Sequence, residues 1–246
     1  MKKKAVRIQD LSFSYPDKSA ALDRISFSVS SGESLGIIGP NGAGKSTALL
    51  HLNGVLKGKG EVRILGEKVH KGNLKWVRSR VGIVFQDPND QLFMPTVFDD
   101  VAFGLLNLGW EKEEVQNRVQ RVLKNLGLEG VQDRNPSHLS FGEKKKISLA
   151  TVLVLEPEIL VLDEPTANLD PGSRRNFLEI LEGIPKTKIM ATHDLDSVWQ
   201  LCSRVLLMNK GKVIAQGESR EILEDEKLLE QNNLEVPHRL LLEKKE

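Results

Sequence analysis

Gly39-Pro40-Asn41-Gly42-Ala43-Gly44-Lys45-Ser46-Thr47 follows a short, nearly continuous apolar run at 34–38 and leads into a helical stretch at 47–52. A run without a polar face is what a strand buried on both sides of a parallel sheet requires, so the quoted stretch sits at a strand-to-helix turn. Its glycines let the backbone curl until successive N–H groups face one point, and the positive end of the following helix adds to that field. Lys45 brings a point charge to the mouth of the cradle. Ser46 offers a hydroxyl, the oxygen ligand that a hard cation such as Mg²⁺ prefers.

This is the P-loop pattern in its required context, strand before and helix after, and it reads as a nucleotide-phosphate site. The plainer alternative, a glycine-rich turn with an incidental lysine, leaves the flanking strand and helix unexplained. A second buried run at 159–162 ends in Asp163-Glu164. Beside a P-loop, Asp163 is placed to hold Mg²⁺ through the metal's water shell, and Glu164 to accept the proton of an attacking water. The alternative is that both acids only terminate a strand and cap the next element.

Composition sets the bounds. In 246 residues, 35 basic side chains stand against 34 acidic ones, a formal charge of +1 that gives no global field for nucleic acid or anionic lipid. The lone Cys202 excludes an intramolecular disulfide and a cysteine-built metal site, and reads as a small apolar filler. No apolar run reaches the ~18 residues of a membrane span. Met1-Lys2-Lys3-Lys4 is followed by Ala5-Val6-Arg7-Ile8-Gln9, not by a secretory apolar region. The expectation is a cytosolic, soluble chain whose role at any membrane is peripheral.

Around the P-loop the pattern is α/β. Segments 6–8, 11–15 and 25–29 alternate apolar and polar residues between turns, as half-buried strands do. From 97 to 150 the period becomes mainly helical, with Val115, Val119, Val122, Leu123 and Leu126 on one stripe. Segments 205–208 and 213–216 read as a hairpin around Asn209-Lys210-Gly211-Lys212, and 219–229 as an amphipathic helix. The tail at 232–246, with Pro237 and Leu240-Leu241-Leu242, is expected to dock weakly or fray. His51, His70, His138 and His238 match no metal-ligand spacing and read as surface or packing residues.

The residues that narrow the family lie between and after the two acid and phosphate motifs. Leu139-Ser140-Phe141-Gly142-Glu143 precedes Asp163-Glu164; Gln86 follows a strand at 81–85; Asn168-Leu169-Asp170 follows the acidic pair; His193 follows a strand at 188–191; Tyr15 lies upstream of the P-loop. Together these resemble the ABC ATPase family over most of the chain. The resemblance implies an α/β fold: a RecA-like P-loop NTPase core with an N-terminal antiparallel β-subdomain and an inserted helical subdomain. It divides the chain into an ATPase domain at 1–220, with the helical subdomain at about 87–155, and a C-terminal helical extension at 221–246.

It further implies a head-to-tail dimer holding two ATP molecules, each with Mg²⁺, between chains. Ser140 and Gly142 of one chain then face the γ-phosphate bound by Gly39 to Thr47 of the other, and Asp170 joins the nucleotide contacts. Tyr15 reads either as a strand-end aromatic or, with Pro16 fixing the turn, as a ring stacked on adenine. Gln86 is either a solvated loop residue or an amide touching both Mg²⁺ and the attacking water. His193 is either a strand-end residue beside a helix cap or a γ-phosphate contact. The family's signature carries Gly where Phe141 stands and Gln where Glu143 stands, and an acid beside an anion costs electrostatically. That departure leaves open a homodimer or a heterodimer with a paralogous ATPase.

Phe85-Gln86-Asp87-Pro88-Asn89-Asp90-Gln91-Leu92-Phe93 with Thr96-Val97-Phe98-Asp99-Asp100-Val101-Ala102-Phe103-Gly104 is similar to the ATPases of energy-coupling-factor importers, including cobalt transport ATPases. The similarity implies a transmembrane coupling subunit and a substrate-capturing membrane protein as partners, a place on the cytoplasmic face of the membrane, and a vitamin or a cobalt or nickel ion as cargo. Region 86–104 is then the groove for a short helix of the membrane subunit, with Leu92, Phe93, Val97 and Phe98 as apolar anchors. Asp99 and Asp100 either attract basic residues of that helix or favour their own helix N-terminus. The alternative function, a soluble ABC ATPase acting on DNA or ribosomes, lacks the long coiled-coil insert or second ATPase half of such relatives, and no nucleic-acid partner is expected.

Overall fold

Strand β3 (Ser34–Ile38) is buried along nearly its whole length, and that burial fixes its place in the middle of a sheet. Before it come β1 (Lys4–Ser14) and β2 (Ala20–Ser30); after it come α1 (Lys45–Leu52), β4 (Lys59–Ile64), β5 (Glu67–Lys68), α2 (Leu74–Arg80) and β6 (Val81–Val84). Helices α3 (Val97–Asn107), α4 (Lys112–Asn125) and α5 (Phe141–Leu153) follow, then β7 (Ile159–Asp163), α6 (Pro171–Glu182), β8 (Thr187–Ala191) and α7 (Leu195–Leu201). The chain continues through β9 (Arg204–Asn209), β10 (Lys212–Glu218), α8 (Ser219–Glu224) and α9 (Glu226–Gln231). The computed structural model describes residues 3–237 and 240.

The central sheet runs β10-β9-β3-β8-β7-β6, parallel from β9 to β6 with β10 antiparallel at one edge. Because β3, β6, β7 and β8 are parallel, the residues leaving each of them emerge at one edge of the sheet. The P-loop leaves β3, Gln86 lies beyond β6, Glu164 beyond β7 and His193 beyond β8. Convergence of the site residues is therefore a property of strand direction and order.

Alternate residues of the strands feed two cores, as the two-residue period demands. Leu160 and Leu162 of β7 pack with the helices α3 to α5, whereas Ile159 and Val161 pack with α1 and the second sheet. That second sheet is antiparallel in the order β2-β1-β4-β5. The segments expected as separate strands at 6–8 and 11–15 form one strand, β1, because a bulge absorbs the break in alternation. Asp10 adopts φ 48° and the register with β2 slips between Ile8 and Leu11 while pairing continues on either side. Tyr15 stands one residue beyond the strand.

The expected hairpin is present. Lys210 and Gly211 both take positive φ, 46° and 74°, as a two-residue type I′ turn requires. The single amphipathic helix expected at 219–229 is instead two, α8 and α9. Asp225 breaks it: its carboxylate accepts the Leu228 N–H at 2.9 Å, capping a new helix and competing with the old one. The tail docks as far as it is described, with Leu234, Val236, Pro237 and Leu240 buried and Asn209 Nδ2 donating to Asn232 Oδ1 at 2.9 Å. Leu241, Leu242 and His238 lie outside the described residues. Cys202 is buried, and burial pushes its thiol up to about 12. No described helix is long and apolar enough to cross a membrane.

Candidate active site

Positive φ at Gly39, Gly42 and Gly44 (151°, 75° and 97°) turns the chain from β3 into α1. A Cβ at Gly39 would lie 2.1 Å from the Met208 carbonyl, and one at Gly44 2.5 Å from the Ala21 carbonyl, so neither position has room for a side chain. Lys45, the first residue of α1, is buried and donates to the carbonyls of Gly39 at 2.7 Å and Pro40 at 3.2 Å. Burial holds its pKa below the usual lysine range, and the carboxylates of Glu164 and Asp163 work against that shift. A desolvated ammonium whose described hydrogen bonds go to neutral carbonyls favours an anion at the loop.

Ser46 Oγ donates to Asp163 Oδ1 at 3.0 Å, bringing two hard oxygen groups together beside the loop. Burial raises the pKa of Asp163, with Glu164 adding to the shift and Ser46, Lys45 and Lys145 opposing it. A site that penalises a buried carboxylate in this way is relieved by a cation, so the donor set and its electrostatics fit Mg²⁺.

Glu164 follows at φ 42°, an uncommon conformation for a residue with a Cβ. It is fixed there by its N–H to Ala191 O at 2.8 Å and by its buried carboxylate. Glu164 Oε2 accepts Thr192 Oγ1 at 2.8 Å and the His193 N–H at 3.4 Å, and stands 3.0 Å from His193 Nδ1. His193 itself is 62% exposed at the side chain. Tyr15 lies at the other end, its hydroxyl 3.0 Å from Thr47 Oγ1 and its ring edge-on to Phe13 at 5.0 Å.

One open cavity of ≈ 460 Å³ joins most of these groups: Tyr15, Asn41 to Thr47, Gln86, Glu164 and His193 line it. Gly39 and Pro40 are not among its lining residues and join it through their carbonyls' bonds to Lys45. Ser140, Gly142 and Asp170 are not among the lining residues. Ser140 caps α5, and its hydroxyl donates to Glu143 Oε2 at 2.6 Å in a reciprocal box that holds the Glu143 carboxyl below its usual range. Asp170 caps α6 by accepting the N–H groups of Gly172 and Ser173, and a Cβ on Gly142 would meet Ser173 Oγ at 2.9 Å.

The surface at 86–104 differs from expectation in its details. Val97 is fully buried, Leu92 and Phe98 are half-buried against the core, and only Phe93 of the four anchors protrudes, at 64% exposure. Phe93 meets Phe103 edge-to-face at 5.1 Å, and Phe103 and Leu106 extend the exposed apolar patch. Asp100 is not a surface charge: it is 4% exposed and accepts the N–H groups of Phe93 and Met94, each at 3.0 Å. Burial raises its pKa. Asp99 accepts the Thr96 hydroxyl at 2.6 Å at the start of α3, and Thr96 caps that helix through the Asp99 N–H.

Sequence reasoning passed over three residues that shape the site. Thr192 orients the Glu164 carboxylate. Arg174 pairs in two bonds with Asp194, at 2.8 and 2.7 Å, bracing the turn after His193. Lys145 is buried beneath Gln86 and Glu164. Its signal lay in helical spacing: Lys145, Ser148, Leu149 and Val152 share one buried face of α5, so one of three consecutive lysines had to turn inward.

A family model for ABC transporters matches residues 22–167. A putative ABC transporter ATP-binding protein of Gloeobacter violaceus is 48% identical over 233 residues, covering 94% of this chain and 96% of that protein. The energy-coupling factor transporter ATP-binding protein EcfA of Methanothermobacter thermautotrophicus is also 48% identical, over 94% of this chain and 76% of its own length. Among solved structures, CbiO1 of Clostridium perfringens, described as part of the ABC transporter complex CbiONQ, superposes with a TM-score of 0.83 at 36% identity, covering 99% of this chain and all of that one. An ATP-binding cassette solved as a dimer bound to ADP and Pi after hydrolysis gives 0.79 at 27% identity, over 87% of this chain and 99% of that one.

Proposed function

The chain belongs to the ABC transporter family of ATP-hydrolysing subunits, and from that premise we propose that it powers a membrane importer of the energy-coupling-factor type. The observation that carries the ATPase half of this reading is the single cavity that gathers the P-loop, Gln86, Glu164 and His193. The P-loop N–H groups and Lys45 bind the ATP phosphates, Lys45 exchanging the carbonyls of Gly39 and Pro40 for phosphate oxygens. Tyr15 stacks on the adenine. Mg²⁺, when bound, neutralises charge on the outer phosphates, and Ser46, Asp163 and Gln86 are the residues that hold it.

Glu164 is the general base. Its contacts to Thr192 and His193 fall on Oε2, which fixes the carboxylate plane and leaves Oε1 to accept the proton of the attacking water. His193 contacts the γ-phosphate, and Gln86 orients the water. Ser140, Gly142 and Asp170, absent from this cavity, complete the corresponding cavity of a second chain in a head-to-tail dimer. That second chain is another copy or a paralogous ATPase.

The importer half is supported by relatives named for energy-coupling-factor transport and for the CbiONQ complex, and by the apolar patch of Phe93, Phe103 and Leu106. This patch borders an open groove of ≈ 490 Å³ lined by Leu92, Phe93, Met94 and Pro95 facing Pro136. A short helix of the transmembrane coupling subunit docks there, which holds the chain at the cytoplasmic membrane face. The cargo, a vitamin or a cobalt or nickel ion, is captured by a separate membrane protein.

Phe93→Ala is the direct test, since loss of one exposed aromatic anchor costs an interface about 2 kcal/mol. Pull-down of the membrane subunits from native membranes should fall by at least about tenfold, with ATP hydrolysis by the isolated chain unchanged. Normal recovery of membrane partners, or recovery of ribosomes or DNA instead, counts against the importer reading. Asp99 and Asp100 do not serve this test, because both carboxylates are engaged in holding the start of α3 and the loop before it.

A further inference from the structure

Lys145 is fully buried, yet among the described residues no carboxylate touches its ammonium. Its Nζ donates to three main-chain carbonyls: Gln86 at 2.7 Å, Phe85 at 3.2 Å and Glu164 at 3.4 Å. Taking a charge out of water costs several kcal/mol, and neutral carbonyls repay that less completely than an ion pair does. The strain registers as a pKa brought down to about 8 by burial, against the pull of Asp163, Asp87 and Glu164. A residue needed only to fill space there would be served as well by methionine or leucine.

What the ammonium does, and an apolar side chain does not, is tie three elements at one point. The carbonyls of Phe85 and Gln86 belong to the loop after β6, and that of Glu164 to the turn after β7. Lys145 itself sits on α5, whose first residue, Phe141, follows the Ser140 cap. Gln91 reinforces the same junction: Oε1 accepts the Phe85 N–H at 3.1 Å, while Nε2 donates to Ser148 O at 2.8 Å and Thr151 Oγ1 at 2.7 Å on α5. The loop carrying Gln86 is thus fastened to α5 by Lys145 and by Gln91, and an exposed bond from Lys144 Nζ to Asn89 Oδ1 at 3.2 Å adds to these two ties. Glu164 is joined to the same helix through Lys145 alone of these two ties.

We propose that Lys145 is a positioning residue for ATP hydrolysis, holding the main chain of Gln86 and of Glu164 in one frame fixed to helix α5. The water-orienting amide and the general base then keep their mutual spacing, and any displacement of α5 by a second chain at Ser140 moves both together. This rests on the roles proposed above for Gln86 and Glu164. Without the ammonium the loop after β6 keeps its Gln91 tie, so the fold persists while the spacing of the two reacting groups loosens.

The experiment is steady-state ATP hydrolysis by the full chain carrying Lys145→Met, Lys145→Arg, Gln86→Ala and the Lys145→Met/Gln86→Ala pair, with ATP affinity by calorimetry and unfolding midpoints measured beside it. Lys145→Met should lower kcat at least about tenfold while KM and ATP affinity stay within about twofold. Arginine, which still donates to carbonyls, should recover at least about half of that loss on a logarithmic scale. In the Gln86→Ala background the methionine should cost less than about threefold more, because the spacing it disturbs no longer matters. A kcat for Lys145→Met within about twofold of the parent overturns the proposal. So do fully additive losses in the pair, or a fall in unfolding midpoint and affinity that tracks kcat and is not rescued by arginine. Wild-type turnover by both Gln86→Ala and Glu164→Gln would instead remove the proposed site roles, and the Lys145 proposal with them.

Discussion

Glu164→Gln is expected to lower ATP turnover by at least about a hundredfold while ATP affinity stays within about threefold of the parent. The amide keeps the shape of the carboxylate, and its oxygen still accepts the Thr192 hydroxyl now bonded to Oε2 at 2.8 Å. What it loses is the capacity to take a proton from water. Uncleaved ATP should therefore persist in the site, and the chain should accumulate as an ATP-held dimer. Hydrolysis assays and light-scattering mass with Mg-ATP read both effects. Hydrolysis at the parent rate would remove Glu164 from the mechanism, and a monomer at saturating ATP would count against the composite site.

Lys45→Ala acts at the preceding step. It is expected to cost about 2–4 kcal/mol of ATP binding, because charge-assisted bonds to phosphate in a desolvated loop are the strong kind. Hydrolysis should vanish with it. The lysine's desolvation is already met in the free protein, where it lies buried against Gly39 and Pro40. Binding an anion therefore recovers interaction energy that the ammonium lacks. Deleting a desolvated cation whose described hydrogen bonds go to carbonyls should leave the unfolding midpoint little changed, which separates this loss from misfolding. Unchanged affinity by calorimetry with normal turnover would refute the phosphate role of the loop.

Much of the architecture is readable because local pattern and tertiary need coincide. The all-apolar runs at 34–38 and 159–162 have one stable destination, the inside of a parallel sheet, and strand direction then carries the P-loop, Gln86, Glu164 and His193 to one edge. Where pattern and context diverge, the sequence misleads. The broken alternation near Asp10 looks like a strand end, but a strand paired on both sides tolerates a bulge. An apolar stripe spans 219–229, yet Asp225 prefers capping the next turn to continuing the last.

Charged residues mark the other boundary. Asp99 and Asp100 look alike as neighbouring acids, and the second is buried only because two N–H groups of the preceding loop converge on it. Lys145 lies in Lys144-Lys145-Lys146, where composition suggests a solvated face, and the carbonyls that receive it come from residues 59, 60 and 19 positions away. The helical period of α5 can show that a lysine turns inward, but not which distant carbonyls receive it. The separation of Ser140 and Gly142 from the P-loop cavity within one chain is implied by the family resemblance and has no signal in local periodicity.

The central claim, that each site is finished by a second chain, is tested most directly by the ATP hydrolysis rate per chain measured across a wide range of protein concentration with Mg-ATP in excess. The rate per chain should climb with the concentration of this chain, or of an added paralogous ATPase, and level off once the dimer is populated. A full and concentration-independent rate from a chain shown to be monomeric under the same conditions would contradict it.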